Sequence, residues 1–233
     1  MNFLEFAQPV EQHNRLNPKL WDNHQLRPEV NLALVRIARD FKEYIDVPFK
    51  VVDIQITGGN ANFTYTEYSD IDLHLIADFD SVSCDREAAE LFDSKRLLYK
   101  REYHVNVRGI PVEVYVEDSR HPAVSAGAYS LLKDTWVRQP NADVPDYDRE
   151  QVEKWVDIWH KVIKTATKTG DLKACRTVLK MLRHYRKLGL KTEQGEFSVP
   201  NLVYKSLRND DTVKGIQALI DQLHSQDLSL NQG

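Results

Sequence analysis

The hydrophobic positions of the chain recur with two different periods, and each period predicts a different element. From Pro28 onward, apolar residues return every three or four positions, which predicts a helix ending near residues 44–47, before Pro48. Residues 51–57 and 70–78 instead alternate apolar and polar side chains, and this period of two predicts two strands. The chain therefore changes from helix to strand within its first third.

The next segment repeats this order of elements. An apolar stripe predicts a helix over residues 87–101. Two strands are predicted over residues 104–107 and 110–116, and Arg108-Gly109 is the tight turn that joins them. In the second of these strands, Pro111, Glu113 and Tyr115 face one way and three valines, at positions 112, 114 and 116, face the other.

Two segments have no clear period. Residues 1–26 are irregular, and residues 119–149 are predicted to be a connection with one short helix near residues 128–132. Three apolar residues of the first segment are expected to fold back as an anchor: Leu16, Leu20 and Trp21.

The rest of the chain keeps the helical period almost to its end. Gly189 is predicted to close one helix, and Ser198 is predicted to cap the next, with Pro200 just inside it. The four predicted helices span residues 151–166, 171–188, 198–207 and 212–224.

These elements predict an α+β fold, in which a small mixed β-sheet packs on helices and an α-helical domain follows. The predicted parts are an N-terminal wrapping segment, a catalytic domain, a connecting segment and a helical domain: residues 1–26, 27–118, 119–149 and 150–233.

Charge is spread unevenly over these parts. Residues 1–149 hold 17 Lys and Arg against 25 Asp and Glu, and residues 150–233 hold 14 against 10, which together give the net charge of −4. A basic helical part beside an acidic metal site would suit an anionic substrate, although solvated helices often carry such charge without a function.

Several classes of protein are excluded by composition. No apolar run approaches the roughly 18 residues that a membrane-spanning helix needs, and the first ten residues do not read as a signal peptide. The two cysteines, Cys84 and Cys175, match no metal-ligand spacing, so a reduced, cytoplasmic setting is expected.

The strongest chemical pattern is a pair of acids on one face of a predicted strand. Asp70 and Asp72 are two positions apart, which places their Cα atoms about 6–7 Å from each other. Close carboxylates repel each other, and a divalent cation such as Mg²⁺ or Mn²⁺ removes that repulsion. Glu113, which alternates with valines on another strand, is the candidate for a third ligand. Solvent-facing acids are common on edge strands, so the pair alone is weak evidence for a metal site.

A glycine turn near the acid pair adds to the evidence for a functional site. Gly58-Gly59 ends the strand that precedes the acid pair, and glycines let backbone N–H groups approach a phosphate closely. Ser69 either shapes the turn into the second strand or is a simple turn residue. His74 continues the acid face, and we expect it to orient a carboxylate or pack in the sheet rather than serve as a further ligand or a proton shuttle.

Together these residues resemble the signature of the DNA polymerase β-type nucleotidyltransferases. That signature is a hydrophobic residue, Gly, then Gly or Ser, about ten residues, and Asp-x-Asp, with a third acid on a later strand. Here it reads Ile-Thr-Gly-Gly-Asn over residues 56–60 and Tyr-Ser-Asp-Ile-Asp-Leu over residues 68–73. Residues 16–21 and 109–115 also resemble uncharacterised nucleotidyltransferases of tailed phages, for which the location would be the host cytoplasm.

The resemblance implies a role for each matching residue. Asp70 and Asp72 would hold two Mg²⁺ or Mn²⁺ ions, and Glu113 would hold the ion nearer the acceptor hydroxyl. The residues implied to contact the nucleoside triphosphate, with ATP as the expected donor, are Gly58, Gly59, Asn60 and Ser69.

The chain departs from the family pattern at two positions. Position 59 is Gly where many members have Ser, and the third acid is Glu113 where Asp is usual.

Basic helix faces are further candidates for phosphate contacts. Arg176, Lys180, Arg183 and Lys187 recur on one predicted face, and Lys205 lies on the next helix. Family members use a lysine of the helical region on the triphosphate, which makes Lys180 and Lys205 the candidates here. Three tyrosines are weaker candidates for base stacking, with packing as the default: Tyr65, Tyr68 and Tyr129.

The sequence therefore predicts a two-metal nucleotidyltransferase that moves a nucleoside monophosphate from an NTP to a hydroxyl and releases pyrophosphate. An RNA or tRNA 3′ end and a protein side chain are comparable acceptors, followed by a second nucleotide and a small molecule. No membrane partner is expected, and the sequence does not indicate an oligomeric state. The alternatives are an inactive relative that binds a nucleotide or partner, and a metal-dependent nuclease.

Overall fold

The computed structural model describes residues 9–81, 85–121, 125–141 and 146–229. The chain divides into two compact units, Glu11–Val144 and Met1–Val10 with Pro145–Gly233. Within the described residues, the first unit holds a sheet with two long helices, and the second holds four helices. The predicted α+β fold with a mixed sheet is confirmed.

The first unit begins with the anchor predicted from the sequence. The side chains of Leu16, Leu20 and Trp21 are at most 3% exposed. Two short strands, β1 (Trp21–Asp22) and β2 (Gln25–Leu26), form a small antiparallel pair in a segment that was expected to be irregular.

Helix α1 (Pro28–Ile45) begins at the predicted proline and ends where Asp46 adopts a left-handed conformation, with φ 57° and ψ 33°. Its buried residues follow the helical period and pack into the core of this unit: Val30, Leu34, Ala38, Phe41 and Ile45. The second helix of the unit, α2 (Asp85–Glu102), extends the prediction by two residues at its start and one at its end.

Six strands form the main sheet, in the order β5-β6-β4-β3-β7-β8. The strands are β3 (Lys50–Thr57), β4 (Ile71–Asp78), β5 (Asn106–Val107), β6 (Ile110–Asp118), β7 (Ala128–Ser130) and β8 (Thr135–Arg138). Strand β4 lies antiparallel to β3 and parallel to β6, so the centre of the sheet is mixed.

The predicted turn between β5 and β6 is confirmed, because Arg108 and Gly109 both have positive φ, 52° and 79°. Two central residues with positive φ are typical of the turn that fits the twist of a hairpin.

The predicted helix near residues 128–132 is wrong, because β7 and β8 form a hairpin there that extends the sheet. Tyr129 pairs with Ile56 of β3 and is 1% exposed. Gly127 precedes the hairpin, and a Cβ at this position would lie 2.0 Å from the carbonyl oxygen of Ala61. The short apolar run of this segment gave no period that separates a strand from a helix.

Several polar side chains of the segment after β3 are buried. Asn60, Asn62, Thr64 and Thr66 are at most 8% exposed. Their burial is possible because polar groups there have partners: Asn62 Oδ1, for example, accepts a hydrogen bond of 2.9 Å from the backbone of Asn141.

The second unit consists of α3 (Arg149–Thr169), α4 (Leu172–Gly189), α5 (Val199–Asn209) and α6 (Thr212–Leu228). Asp148 and Asp171 cap the first two by accepting backbone hydrogen bonds. Ser198 holds the predicted N-cap position of α5, but its side chain makes no capping bond. Its hydroxyl is buried beside Gly189, where a Cβ would lie only 2.5 Å away.

Each of these helices contributes apolar residues to a separate core, which includes Val156, Ile163, Leu179, Leu202, Leu207 and Ile216. No helix in the described ranges is long and apolar enough to cross a membrane.

Candidate active site

The glycine turn after β3 lies directly against Asp72. Gly58 has φ 73° and ψ −162°, a conformation that side chains disfavour. A Cβ at this position would lie 2.0 Å from Asp72 Oδ2, so both the backbone and the space require glycine. The backbone N–H of Gly58 donates to Ser125 Oγ at 3.2 Å, which ties the turn to the segment before β7.

The three predicted acids meet at the start of β4. Asp70 immediately precedes the strand, and Asp72 is in register with Thr57 on one side and with Glu113 on the other. Ligand oxygens of Asp70, Asp72 and Glu113 all lie within 4.8 Å of one another, and the three residues are half-buried. Acids that are 41 positions apart in the sequence are therefore neighbours because β4 and β6 pair in parallel.

The donor set of this cluster fits Mg²⁺ or Mn²⁺. These hard cations prefer oxygen ligands, and oxygens on one Mg²⁺ ion lie about 3–4 Å apart. The observed spread of up to 4.8 Å therefore requires only a small closure of the side chains around one ion. A pair of ions, about 3.5–4 Å apart in two-metal sites, would need less closure.

The third acid is held by two groups. The Tyr115 hydroxyl donates to Glu113 Oε2 at 2.6 Å, and the Lys100 ammonium of α2 forms an ion pair with Glu113 Oε1. Tyr115 shares the sheet face of Glu113, which the period of two already indicated. Lys100 was missed, because one lysine near the end of a helix carries no sequence pattern.

His74 has the structural role that was preferred from the sequence. Its Nδ1 lies 2.8 Å from Glu117 Oε1, and its ring stacks on Tyr115 with centroids 4.8 Å apart. The Arg96 guanidinium lies 5.0 Å from the centroid of the same tyrosine ring. This group of side chains supports Tyr115, which in turn orients Glu113.

Asn60 and Ser69 build the turn around the site. Asn60 is fully buried; its Nδ2 donates to the backbone oxygens of Ser69 and Asp70, and its Oδ1 accepts from Asn17. Ser69 Oγ accepts a bond of 2.9 Å from the Thr66 backbone. The structure thus gives these side chains a part in positioning Asp70, and the nucleotide contact expected of them from the sequence stays a prediction.

Position 59 has room for a Cβ atom. A Cβ there would lie 3.4 Å from the Thr64 carbonyl oxygen and 3.5 Å from Ser69 Oγ, which are ordinary contact distances. The glycine at this position therefore removes a hydroxyl but does not reflect a steric requirement.

A pocket of about 420 Å³ adjoins the cluster on the side of Asp70 and Glu113. Tyr68 and Tyr103, each about half-exposed, form part of its wall together with Lys100. Volumes of roughly 300–1,000 Å³ are typical of small-molecule sites. The sequence indicated Tyr68 but not the other two residues.

The other candidate aromatics have packing roles. Tyr129 is buried, and its hydroxyl donates to Asp134 at 2.8 Å; burial and this bond raise the pKa of Tyr129 to about 12. Tyr65 stacks on His13 with centroids 3.9 Å apart.

The predicted phosphate-binding lysines belong to the helical unit. Lys180 is on the exposed face of α4 with Arg176, Arg183 and Lys187. Lys205 lies on α5, and its Nζ is 3.8 Å from Glu196 Oε2. A contact between either lysine and a nucleotide stays a prediction.

No protein-family model and no curated protein sequence matches the chain. Among solved structures, the chain is similar to that of a STING-associated CdnE c-di-GMP synthase from Capnocytophaga granulosa. The two share 14% sequence identity, the alignment covers 87% of this chain and 83% of that chain, and the TM-score is 0.22. Such a TM-score is too low to show a shared fold.

Proposed function

We propose that this protein is a metal-dependent nucleotidyltransferase that transfers a nucleoside monophosphate from an NTP to a hydroxyl acceptor and releases pyrophosphate. The observation that carries the proposal is the meeting of Asp70, Asp72 and Glu113 within 4.8 Å, beside a glycine turn that only glycine can form.

Each part of the site has a place in this reaction. The turn at Gly58-Gly59 would receive the triphosphate, since it brings backbone close to Asp72 without side chains in between. The three carboxylates would hold divalent ions, which neutralise phosphate charge and favour deprotonation of the attacking hydroxyl when bound. Asp70 and Glu113 also line the adjoining pocket, where their carboxylates would orient the acceptor hydroxyl.

The same features weigh against the two alternatives. A protein that only binds nucleotide has no need for three converging acids in a half-buried site. A metal-dependent nuclease would use the acids but has no need for a glycine turn in contact with one of them. ATP as donor, and RNA, tRNA or a protein side chain as acceptor, complete the proposal.

The test is transfer of label from NTPs by the full-length protein. Each α-³²P-labelled NTP is incubated with Mg²⁺ or Mn²⁺ and with RNA, protein extract or no acceptor, and γ-³²P-ATP is run in parallel. We expect label from one α-labelled NTP in one acceptor fraction, none from γ-labelled ATP, and none with Asp70→Ala/Asp72→Ala.

Two other outcomes would support one of the alternative functions. Cleavage of end-labelled RNA without incorporation of nucleotide would indicate a nuclease. Nucleotide binding measured by calorimetry, with no transfer to any fraction, would support the inactive relative and contradict the proposal.

A further inference from the structure

Lys100 is a cation that the structure pairs with the acidic cluster. It lies in the last turn of α2, its side chain is 58% exposed, and its ammonium contacts Glu113 Oε1. Glu113 is only 15% exposed, and its other oxygen is taken by the Tyr115 hydroxyl. Both oxygens of this carboxylate are therefore engaged, one by a positive charge and one by a neutral donor.

The contact between Lys100 and Glu113 changes the electrostatics of the acidic cluster. Three carboxylates within 4.8 Å repel one another, and a positive charge at the edge of the cluster offsets part of that repulsion. A divalent cation bound by the same three acids would also need an oxygen of Glu113. Because the Tyr115 hydroxyl engages Oε2, the ion would approach Oε1, the oxygen that the Lys100 ammonium contacts. The ammonium and the ion would then compete for one carboxylate oxygen.

We propose that Lys100 is a built-in counter-ion that competes with divalent cations for Glu113 and so sets the metal affinity of the cluster. The inference rests on the proposed function only in taking the cluster as the metal site. Lys100 is a positioning residue that acts through Glu113. Its long, exposed side chain can leave without rearrangement of the backbone, and it would remain beside the pocket that it lines.

The experiment measures Mn²⁺ binding to the full-length protein by isothermal titration calorimetry, without nucleotide. Lys100→Met keeps the aliphatic stem and removes the charge, and Lys100→Gln does so with a polar side chain. Lys100→Arg keeps the charge. Arg101→Met is the matched control, because it removes a charge from the next, exposed residue of the same helix, which does not line the pocket.

We expect Lys100→Met and Lys100→Gln to bind Mn²⁺ about three- to tenfold more tightly than the wild type, since a partly exposed ion pair no longer has to be broken. Lys100→Arg and Arg101→Met should stay within about twofold of the wild type. The melting temperature of each protein should be higher in Mn²⁺ than in chelator. This increase should be larger for the two uncharged variants than for the wild type.

The possible failures are distinguishable. Mn²⁺ affinity in Lys100→Met and Lys100→Gln that equals that of Arg101→Met, or is weaker, would overturn the counter-ion role while leaving the metal site in place. Absence of Mn²⁺ binding by the wild-type protein would overturn the metal site, and with it both this inference and the proposed function.

Discussion

Gly58 and Asp72 depend on each other, because the glycine leaves the space that the carboxylate occupies. Two separate costs would follow from any side chain at position 58. One is the strain of a conformation with φ 73° and ψ −162°, and the other is the clash of a Cβ 2.0 Å from Asp72 Oδ2.

Gly109 is a control for a glycine that has positive φ but no clash. Gly109 also has positive φ, 79°, but a Cβ there would meet nothing within 4 Å. Gly109→Ala should therefore cost only the strain, about 1–2 kcal/mol in the free energy of unfolding. Gly58→Ala should cost more and weaken Mn²⁺ binding, because Asp72 must move. Urea unfolding and calorimetry measure the two effects, and equal results for both variants would contradict the clash.

Substitution of Asp72 tests directly whether the three acids bind the metal ions. Asp72→Asn should lower transfer activity at least about 100-fold, since loss even of groups beyond the metal ligands costs about 10- to 100-fold. Its melting temperature without metal should be equal or higher, because one of three clustered negative charges is removed.

Asp78→Asn is the matched control, at the opposite end of the same strand β4. It should retain activity. Full activity of Asp72→Asn would contradict the assignment of the cluster as the metal site.

At the scale of elements, a partly buried pair ties α3 to the residues just before α6. His160 Nε2 lies 2.7 Å from Asp210 Oδ2, and Asp210 Oδ1 accepts a bond of 3.0 Å from the Thr212 backbone. Burial acts to raise the pKa of Asp210, but the hydrogen bonds from His160 and Thr212 outweigh it and hold the pKa below its ordinary value.

The lowered pKa determines how stability depends on pH. The ionised Asp210 contributes stability that is present above the unfolded pKa, about 3.9, and is lost as pH falls through the lower folded pKa. Asp210→Asn should lower the free energy of unfolding by about 1–3 kcal/mol at pH 7, and the difference from the wild type should shrink below about pH 4.

Chemical unfolding across this pH range measures the effect. Asp211→Asn is the control, because Asp211 is 77% exposed and makes only a surface pair with Lys214. A difference between Asp210→Asn and the wild type that stays constant down to pH 2 would contradict the role of the ionised carboxyl.

At the scale of the whole molecule, the four tryptophans divide between the two units. Trp21 and Trp136 stack in the unit that carries the acidic cluster, with centroids 4.8 Å apart, whereas Trp155 and Trp159 lie on α3. Trp159 Nε1 is buried without a hydrogen-bond partner among the described residues, so phenylalanine is a mild replacement there.

Fluorescence of the Trp155→Phe/Trp159→Phe variant therefore follows the first unit alone. Mn²⁺ at 100 times its dissociation constant should stabilise this unit by about 2.7 kcal/mol, seen as a higher urea midpoint. The same measurement on a variant that also carries Asp70→Ala and Asp72→Ala should show no shift. A shift that persists in that variant would place the Mn²⁺ site elsewhere.

Much of this protein follows from local sequence. The apolar period alone was sufficient to predict α1, α2, the strands β3, β4 and β6 and the four helices of the second unit, because each of them carries a regular set of apolar positions. The candidate acids were found in the same way, since Asp70 and Asp72 lie at the start of a strand with strict alternation and follow a glycine turn.

Only the tertiary structure decided the rest. The hairpin of β7 and β8 is held by its pairing with β3, and a segment of three strand residues is too short to show a period. Asn60 and Asn62 are buried because distant groups satisfy their hydrogen bonds, and such partners leave no mark in the neighbouring sequence. Lys100 reaches Glu113 for the same reason: the contact joins a helix to a strand, and it exists only once both have packed.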